Sequence, residues 1–164
     1  MKVLIIGAKG FIGSHLTEYL SNVKNSTVTG VDVFGESCVP SYYTVSSRSP
    51  DYSRVLQADQ YDLCVNCSGA ASVPKSLEDP ELDFELNTVN VGRMLNAIRL
   101  TQTDCRFINL SSAAVYGEPE RLPIYETQAS HPLSPYGHHK LMSEQLCREY
   151  AESFGLKTCS LRPF

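Results

Sequence analysis

The sequence has no apolar run long enough to cross a membrane. Its longest early one, Val3-Leu4-Ile5-Ile6, stops at Gly7. Four residues also fall short of a signal-peptide core, and the run starts at residue 3 with no targeting segment ahead of it, so a cytoplasmic location is the expectation. Positive charge is not in excess either: 14 Lys and Arg against 18 Asp and Glu give a net charge of −4. The basic residues are scattered and offer no face to nucleic acid. Repeats, low-complexity tracts and linkers are missing too. What is present, 164 residues of which 42% are hydrophobic and 20% charged, fits one globular domain with a core of its own.

A complete metal or disulfide pattern is also lacking. There are six cysteines, Cys38, Cys64, Cys67, Cys105, Cys147 and Cys159. Cys64 and Cys67 form a CxxC, but inside Leu63-Cys64-Val65-Asn66-Cys67, a stretch that reads as a buried strand. An odd spacing there points the two thiols to opposite faces. No second CxxC or Cys/His pair joins them, so reduced buried thiols and no metal are expected. The sequons at Asn25, Asn66 and Asn109 are read as chance matches, the last two lying in buried strands.

Apolar runs alternate with amphipathic segments, the pattern of βαβ units. Strands are expected at Lys2–Ile6, Thr27–Val33, Ser41–Ser47, Tyr61–Cys67, Arg106–Ser111 and Lys157–Leu161. Helices are expected from Phe11 to about Val23, with Leu16, Tyr19 and Leu20 facing inward, and at Pro50–Gln57. A long helix from Pro80 to about Thr101 would carry Leu82, Leu86, Val89, Leu95 and Ile98 on its apolar side, and a last one would run from Pro135 to Phe154 and stop at Gly155. Strands this apolar must be covered on both faces, so the fold class is α/β, a doubly wound parallel sheet.

The first strand runs straight into Gly7-Ala8-Lys9-Gly10-Phe11-Ile12-Gly13, which opens the first helix. Glycines permit the sharp turn and the close approach of a pyrophosphate, and the helix N-terminus offers free N–H groups to the anion. Such a loop between strand and helix is the setting of a dinucleotide site. Asp32 lies at the end of the second strand, 19 residues beyond Gly13. A carboxylate there can accept from both ribose hydroxyls of an adenosine and repels a 2′-phosphate, so NAD is favoured over NADP.

Tyr136-Gly137-His138-His139-Lys140 follows Pro135 directly. Tyr136 and Lys140, four apart on a helix, share one face. A free tyrosine, with a pKa of about 10, is a poor base at neutral pH. Lowering it by about 3 units takes about 4 kcal/mol of differential interaction, and a neighbouring ammonium works in that direction.

Taken in order, GAKGFIGSHL at 7–16, Asp32, YDLCVNCSGAASV at 61–73, Asn87, INLSSAAVYGEP at 108–119, SPYGHHKLMSEQL at 134–146 and SLRPF at 160–164 resemble the extended short-chain dehydrogenase/reductase family, in its branch of NAD-dependent sugar-nucleotide epimerases and dehydratases. The resemblance covers essentially the whole chain. It implies a Rossmann domain spanning 1–164, with NAD as cofactor and a nucleotide-sugar as substrate. It also implies catalytic roles for Ser112 (the active-site hydroxyl), Tyr136 (the base) and Lys140 (which activates the tyrosine and binds ribose). Cofactor contacts are implied for Gly7, Gly10, Phe11, Ile12, Gly13, Asp32, Ser68, Gly69, Asn87, Tyr136 and Lys140.

The chain departs from the family in three places. The segment between Asp32 and Tyr61 is short, and the Asp that usually meets the adenine has no clear counterpart, with Ser46 or Ser47 nearest. Family dehydratases carry Asp-Glu where this chain has Ala113-Ala114, so elimination of water is disfavoured and epimerase or 4-keto-sugar oxidoreductase chemistry is expected. The family continues past its RPF-like segment into a substrate domain, whereas this chain stops at Phe164, whether as a fragment, a natural truncation or a domain completed by something else. The 164-residue chain by itself is expected to be inactive, and apolar surface near Leu161–Phe164 to favour self-association, a homodimer among the forms. His138 and His139 read as solvated or packing residues. Two other functions stay open: a cofactor-binding module without turnover, and an extended-family reductase of a non-sugar ketone.

Overall fold

Four consecutive apolar residues are too few for a helix and suit a strand buried on both faces. In the computed structural model, which describes residues 1–22, 24, 26–35, 41–119 and 121–164, Lys2–Ile6 is strand β1. Val23, Asn25 and Cys38, on which a helix end, a sequon and a thiol were expected, lie outside the described residues. Helix α1 (Phe11–Asn22) leads to β2 (Thr27–Asp32), β3 (Ser41–Thr44), α2 (Tyr52–Ala58) and β4 (Leu63–Asn66). Then come α3 (Val73–Glu78), α4 (Pro80–Phe84), a π-helical turn (Glu85–Val89), α5 (Asn90–Thr101) and β5 (Arg106–Leu110). A 3₁₀ turn (Ala113–Val115), α6 (Pro135–Phe154) and β6 (Thr158–Leu161) complete the order. The strands form one parallel sheet in the order β3-β2-β1-β4-β5-β6.

Strand periodicity sorts the core into two faces. Leu4 and Ile6 pack with Val31, Cys64 and Phe107 against α2, α5 and α6, while Val3 and Ile5 pack with Val28, Val65 and Leu20 of α1. Cys64 belongs to the first cluster and Cys67 packs against the second, so the two thiols do face opposite ways. Connections on either side of β1 run in opposite directions along the sheet. The strand order therefore reverses between β1 and β4, and a crevice opens at the carboxyl ends of these strands.

Three expectations need correction. Tyr19 is exposed; Gly13 and Thr17, with Leu20, form the buried side of α1. The stretch 73–78 is a helix that periodicity did not reveal, begun by Ser72, whose side chain accepts from the Lys75 N–H, with Pro74 in its first turn. The segment from Pro80 to Thr101 is not a uniform helix, because the π turn shifts its register. As a result Asp83, Asn87, Thr88 and Asn90 are buried, while Leu82, Leu86 and Val89 are only half-buried. A π turn in a helix often marks a functional site.

Helix α1 lies very close to β1. A Cβ built on Gly13 would come within 2.0 Å of the Gly7 carbonyl oxygen, whereas one on Gly92 of α5 would meet only Leu146 Cδ1, at 3.6 Å. Gly13→Ala is therefore expected to destabilise by about 3 kcal/mol, the upper end of the overpacking range. Gly92→Ala should stabilise by up to about 1 kcal/mol through helix propensity. Urea unfolding of both variants checks the pair; an undiminished midpoint for Gly13→Ala would contradict the packing.

Candidate active site

The β1–α1 loop is held from below. Gly7 and Ala8 donate their N–H groups to the Val31 carbonyl (2.8 and 3.1 Å), and Lys9 N–H donates to Asp32 Oδ2 (2.8 Å). Gly7 takes a φ of +81°, and a Cβ on it would strike the backbone of Cys67 and Ser68 at 2.7 Å. The α1 ladder begins with Ser14 N–H donating to Gly10 O (2.9 Å). The amides of Phe11, Ile12 and Gly13 thus stand ahead of it and point out of the helix end, where an anion would meet them.

Asp32 is buried at the end of β2, with Oδ1 accepting from Val33 N–H (2.7 Å). A cleft of about 300 Å³ opens beside it, lined by Gly7, Gly10, Asp32, Phe34, Ser68 and Gly69 among others. Ser46 and Ser47, from the segment after β3, line it too. Their loop is clamped to α5, since Asn90 Nδ2 donates to Ser47 O (2.9 Å) and Arg93 to Arg48 O (2.5 Å).

Helix α6 carries the Tyr/Lys pair. Ser134 caps it by accepting from Gly137 N–H (3.2 Å), Pro135 starts its first turn, and Gly155 ends it in the left-handed region at φ +69°. The Tyr136 N–H donates to Ser76 Oγ (3.2 Å), so α3 tethers the start of α6. A Cβ on Gly137 would come within 2.7 Å of the Ala114 carbonyl, so α6 sits directly on the turn that follows Ser112. Ser112 Oγ accepts from the Ala114 N–H (3.1 Å), which leaves its own O–H free to donate elsewhere.

Lys140 is buried, one turn beyond Tyr136. Its Nζ lies 5.9 Å from the Tyr136 ring centroid and donates to Leu110 O at the end of β5 (2.9 Å). Burial pulls its pKa down to about 8, against the opposing pull of Asp83 and Cys67. A depressed lysine pKa means that the unfolded chain holds the extra proton between pH about 8 and 10.5. Stability from this group therefore rises with pH across that window. The stability of the native chain minus that of Lys140→Met should rise from pH 8 to 10.5 in parallel denaturations. A flat difference would contradict the burial argument, and the Cys64, Cys105 and Cys147 thiols, whose pKa values burial raises, cancel in the subtraction.

Gly69, at φ +118°, passes close to two polar groups. A Cβ on it would lie 2.4 Å from Asn87 Oδ1 and 3.4 Å from Lys140 Nζ. Asn87 is fully buried on the π turn. Its Nδ2 donates to Asp83 Oδ1 (3.0 Å) and its Oδ1 has no partner among the described residues. Ser68, Gly69, Asn87, Lys140 and the turn after Ser112 thus come together at the carboxyl ends of β4 and β5, and the glycine loop and Asp32 stand across the crevice.

Sequence reasoning missed several groups around this site. His139 is not a solvated or merely packing residue: its Nδ1 pairs with the buried Asp83 Oδ2 at 2.6 Å. A chain of side-chain hydrogen bonds, buried beyond Ser68, links the loop after β4 to α6. Ser68 Oγ donates to Asn66 Oδ1 (2.6 Å), Asn66 to Asn109 (2.9 Å), Asn109 to Ser143 (3.0 Å) and Ser143 to Lys140 O (2.7 Å). The signal was an Asn at the same register of two adjacent apolar strands, β4 and β5. Glu144 accepts from Ser111 Oγ (2.5 Å) and from Arg162 at both oxygens (2.8 and 2.6 Å), which fixes β6 to α6 next to Ser112. Among the described residues, no three His, Cys, Asp or Glu side chains converge on a metal position, and no helix is long and apolar enough to cross a membrane.

Known proteins share this fold. The UDP-glucose 4-epimerase of Azospirillum brasilense is 32% identical over 99% of this chain and 48% of its own length. The GDP-6-deoxy-D-mannose reductase of Pseudomonas aeruginosa is 27% identical over 99% of this chain and 51% of its own. The crystal structure of UDP-glucose 4-epimerase from Brucella ovis in complex with NAD superposes with a TM-score of 0.87 at 31% identity, covering 98% of this chain and 51% of that one. The chain thus spans about half the length of the curated relatives it matches. With a family model matched over residues 3–164, the chain belongs to the NAD dependent epimerase/dehydratase family.

Proposed function

We propose that this chain is the cofactor-holding part of an NAD-dependent sugar-nucleotide epimerase. The observation that carries the reading is the placement of Tyr136 and a buried Lys140 on one face of α6, with Gly69 and the Ser112 turn beside them. The residues present fit a dinucleotide. The free amides of Phe11 and Ile12 suit a pyrophosphate, and Gly10 keeps its approach clear. Asp32 suits the adenosine ribose, Ser46 and Ser47 stand on the base side, and the unpartnered Asn87 Oδ1 awaits a donor. Ser68, Gly69, Tyr136 and Lys140 would hold the nicotinamide half. A cytoplasmic location, a nucleotide-sugar substrate and a homodimer go with this reading as further expectations.

When bound, NAD supplies a reversible hydride acceptor for a sugar carbon. Tyr136 takes the proton from the hydroxyl on that carbon and returns it when the keto-sugar is reduced from its other face. Ser112 donates its free O–H to the same sugar oxygen as charge develops there. Lys140, held by Leu110 O, keeps its remaining N–H groups for a ribose hydroxyl. Ala113 and Ala114 supply neither acid nor base, which supports epimerisation over dehydration. The similarity to a GDP-6-deoxy-D-mannose reductase supports a second reading, a one-way reduction of a 4-keto sugar by the same residues.

The purified chain should be stabilised by NAD by about 2.7 kcal/mol at 100 times its Kd, read as a rise in Tm. An unchanged Tm at millimolar NAD would overturn the cofactor reading.

A further inference from the structure

Asp83 stands on α4 where an apolar residue would be the ordinary choice, and it is 3% exposed. A carboxylate this far from water persists only if it is paired and hydrogen-bonded. Both oxygens are engaged: Oδ2 with His139 Nδ1 at 2.6 Å and Oδ1 with the Asn87 amide at 3.0 Å. His139 is itself fixed. Its ring meets Phe84 edge-on at 5.3 Å between centroids, and its carbonyl accepts from Thr88 Oγ1 (3.0 Å).

Because Asn87 gives its amide N–H to Asp83, its carbonyl Oδ1 must point away from that carboxylate. A flip would set carbonyl oxygen against carboxylate oxygen, so the charged acceptor determines which end of the amide faces Gly69, which lines the cleft. That end is an acceptor, 1% exposed as a residue, without a partner among the described residues, and near Lys140 Nζ. A buried carbonyl left without a donor is unfavourable and calls for an explanation, such as a ligand that supplies the donor.

We infer that Asp83 and His139 are positioning residues for the cofactor: they lock the Asn87 amide so that its Oδ1 accepts a hydrogen bond from a hydroxyl of the bound dinucleotide. The inference rests on the NAD reading above. His139 holds Asp83, Asp83 holds Asn87, and only Asn87 touches the ligand.

Calorimetric titration with NAD tests this on the native chain and on Asn87→Ala, Asp83→Asn, His139→Phe, His139→Gln and the double variant Asp83→Asn/Asn87→Ala, with the unliganded Tm recorded for each. Asn87→Ala and Asp83→Asn should each weaken NAD binding by about 5–10-fold, the effect of one lost hydrogen bond. The double variant should bind no more weakly than Asn87→Ala alone, because Asp83 acts through Asn87. His139→Gln, which keeps a donor, should bind within about twofold of the native chain, while His139→Phe should lose affinity like Asp83→Asn. If Asp83→Asn does not fold, the two His139 variants carry the same comparison. Native affinity in Asp83→Asn or His139→Phe, or additive losses in the double variant, would overturn the inference and leave the NAD reading intact. A native chain that does not bind NAD would overturn both.

Discussion

Tyr136→Phe is expected to lower turnover by about 10²–10⁴-fold in any preparation that interconverts nucleotide-sugars, with NAD affinity changed by less than about threefold. The substitution removes one oxygen from a residue whose ring lies against Lys140 and whose backbone is tethered by Ser76. The fold therefore has no reason to change. The loss amounts to about 3–5 kcal/mol in the barrier, the scale expected of a general base. Steady-state kinetics with UDP-glucose, together with calorimetry for NAD, separate the two effects. A rate within tenfold of the native value would mean that another group takes the proton. Loss of NAD binding would mean that Tyr136 serves the cofactor more than the chemistry.

NADP should bind at least about 100-fold more weakly than NAD, and Asp32 is the reason. Each of its oxygens already accepts one backbone N–H, from Lys9 at 2.8 Å and from Val33 at 2.7 Å, which fixes the carboxylate and leaves a lone pair on each oxygen for a ribose hydroxyl. A 2′-phosphate there would bring like charges to about 4 Å, worth about 4 kcal/mol per charge pair at an effective dielectric of about 20. The Lys9 ammonium, bonded to Gly35 O at 2.9 Å, offsets part of this, so the estimate stays below the full Coulomb figure. Asp32→Asn should narrow the gap to within about tenfold, and Lys9→Ala should widen it. Parallel titrations with the two cofactors decide the matter, and equal affinities in the native chain would remove Asp32 from its assigned role.

The strands and the two halves of the crevice could be read from the chain because each is a local pattern. β1 is a run of apolar residues, the glycine loop follows it without a gap, and Tyr136 and Lys140 are one helical turn apart. The surroundings of these groups could not be read in the same way. Asp83 and His139 are 56 residues apart, and each alone looks like a solvated charge on a helix. Asn66, Asn109 and Ser143 join only because β4 and β5 are neighbours and α6 crosses them. The π turn at Glu85–Val89 defeated the helical period itself, since one altered turn moved the polar side chains inward and left Leu82, Leu86 and Val89 half-covered.

By itself, then, the sequence determined the strands, the helices after β1 and at 135–154, the glycine loop, the position of Asp32 and the Tyr136–Lys140 face, because period, spacing and backbone freedom are properties of contiguous residues. Tertiary structure alone decided which polar residues leave water. A buried carboxylate is tolerated only where a partner from a distant segment meets it. That made Asp83 a partner of His139 and Asn87, turned the Asn87 carbonyl toward Gly69, and set Glu144 between Ser111 and Arg162.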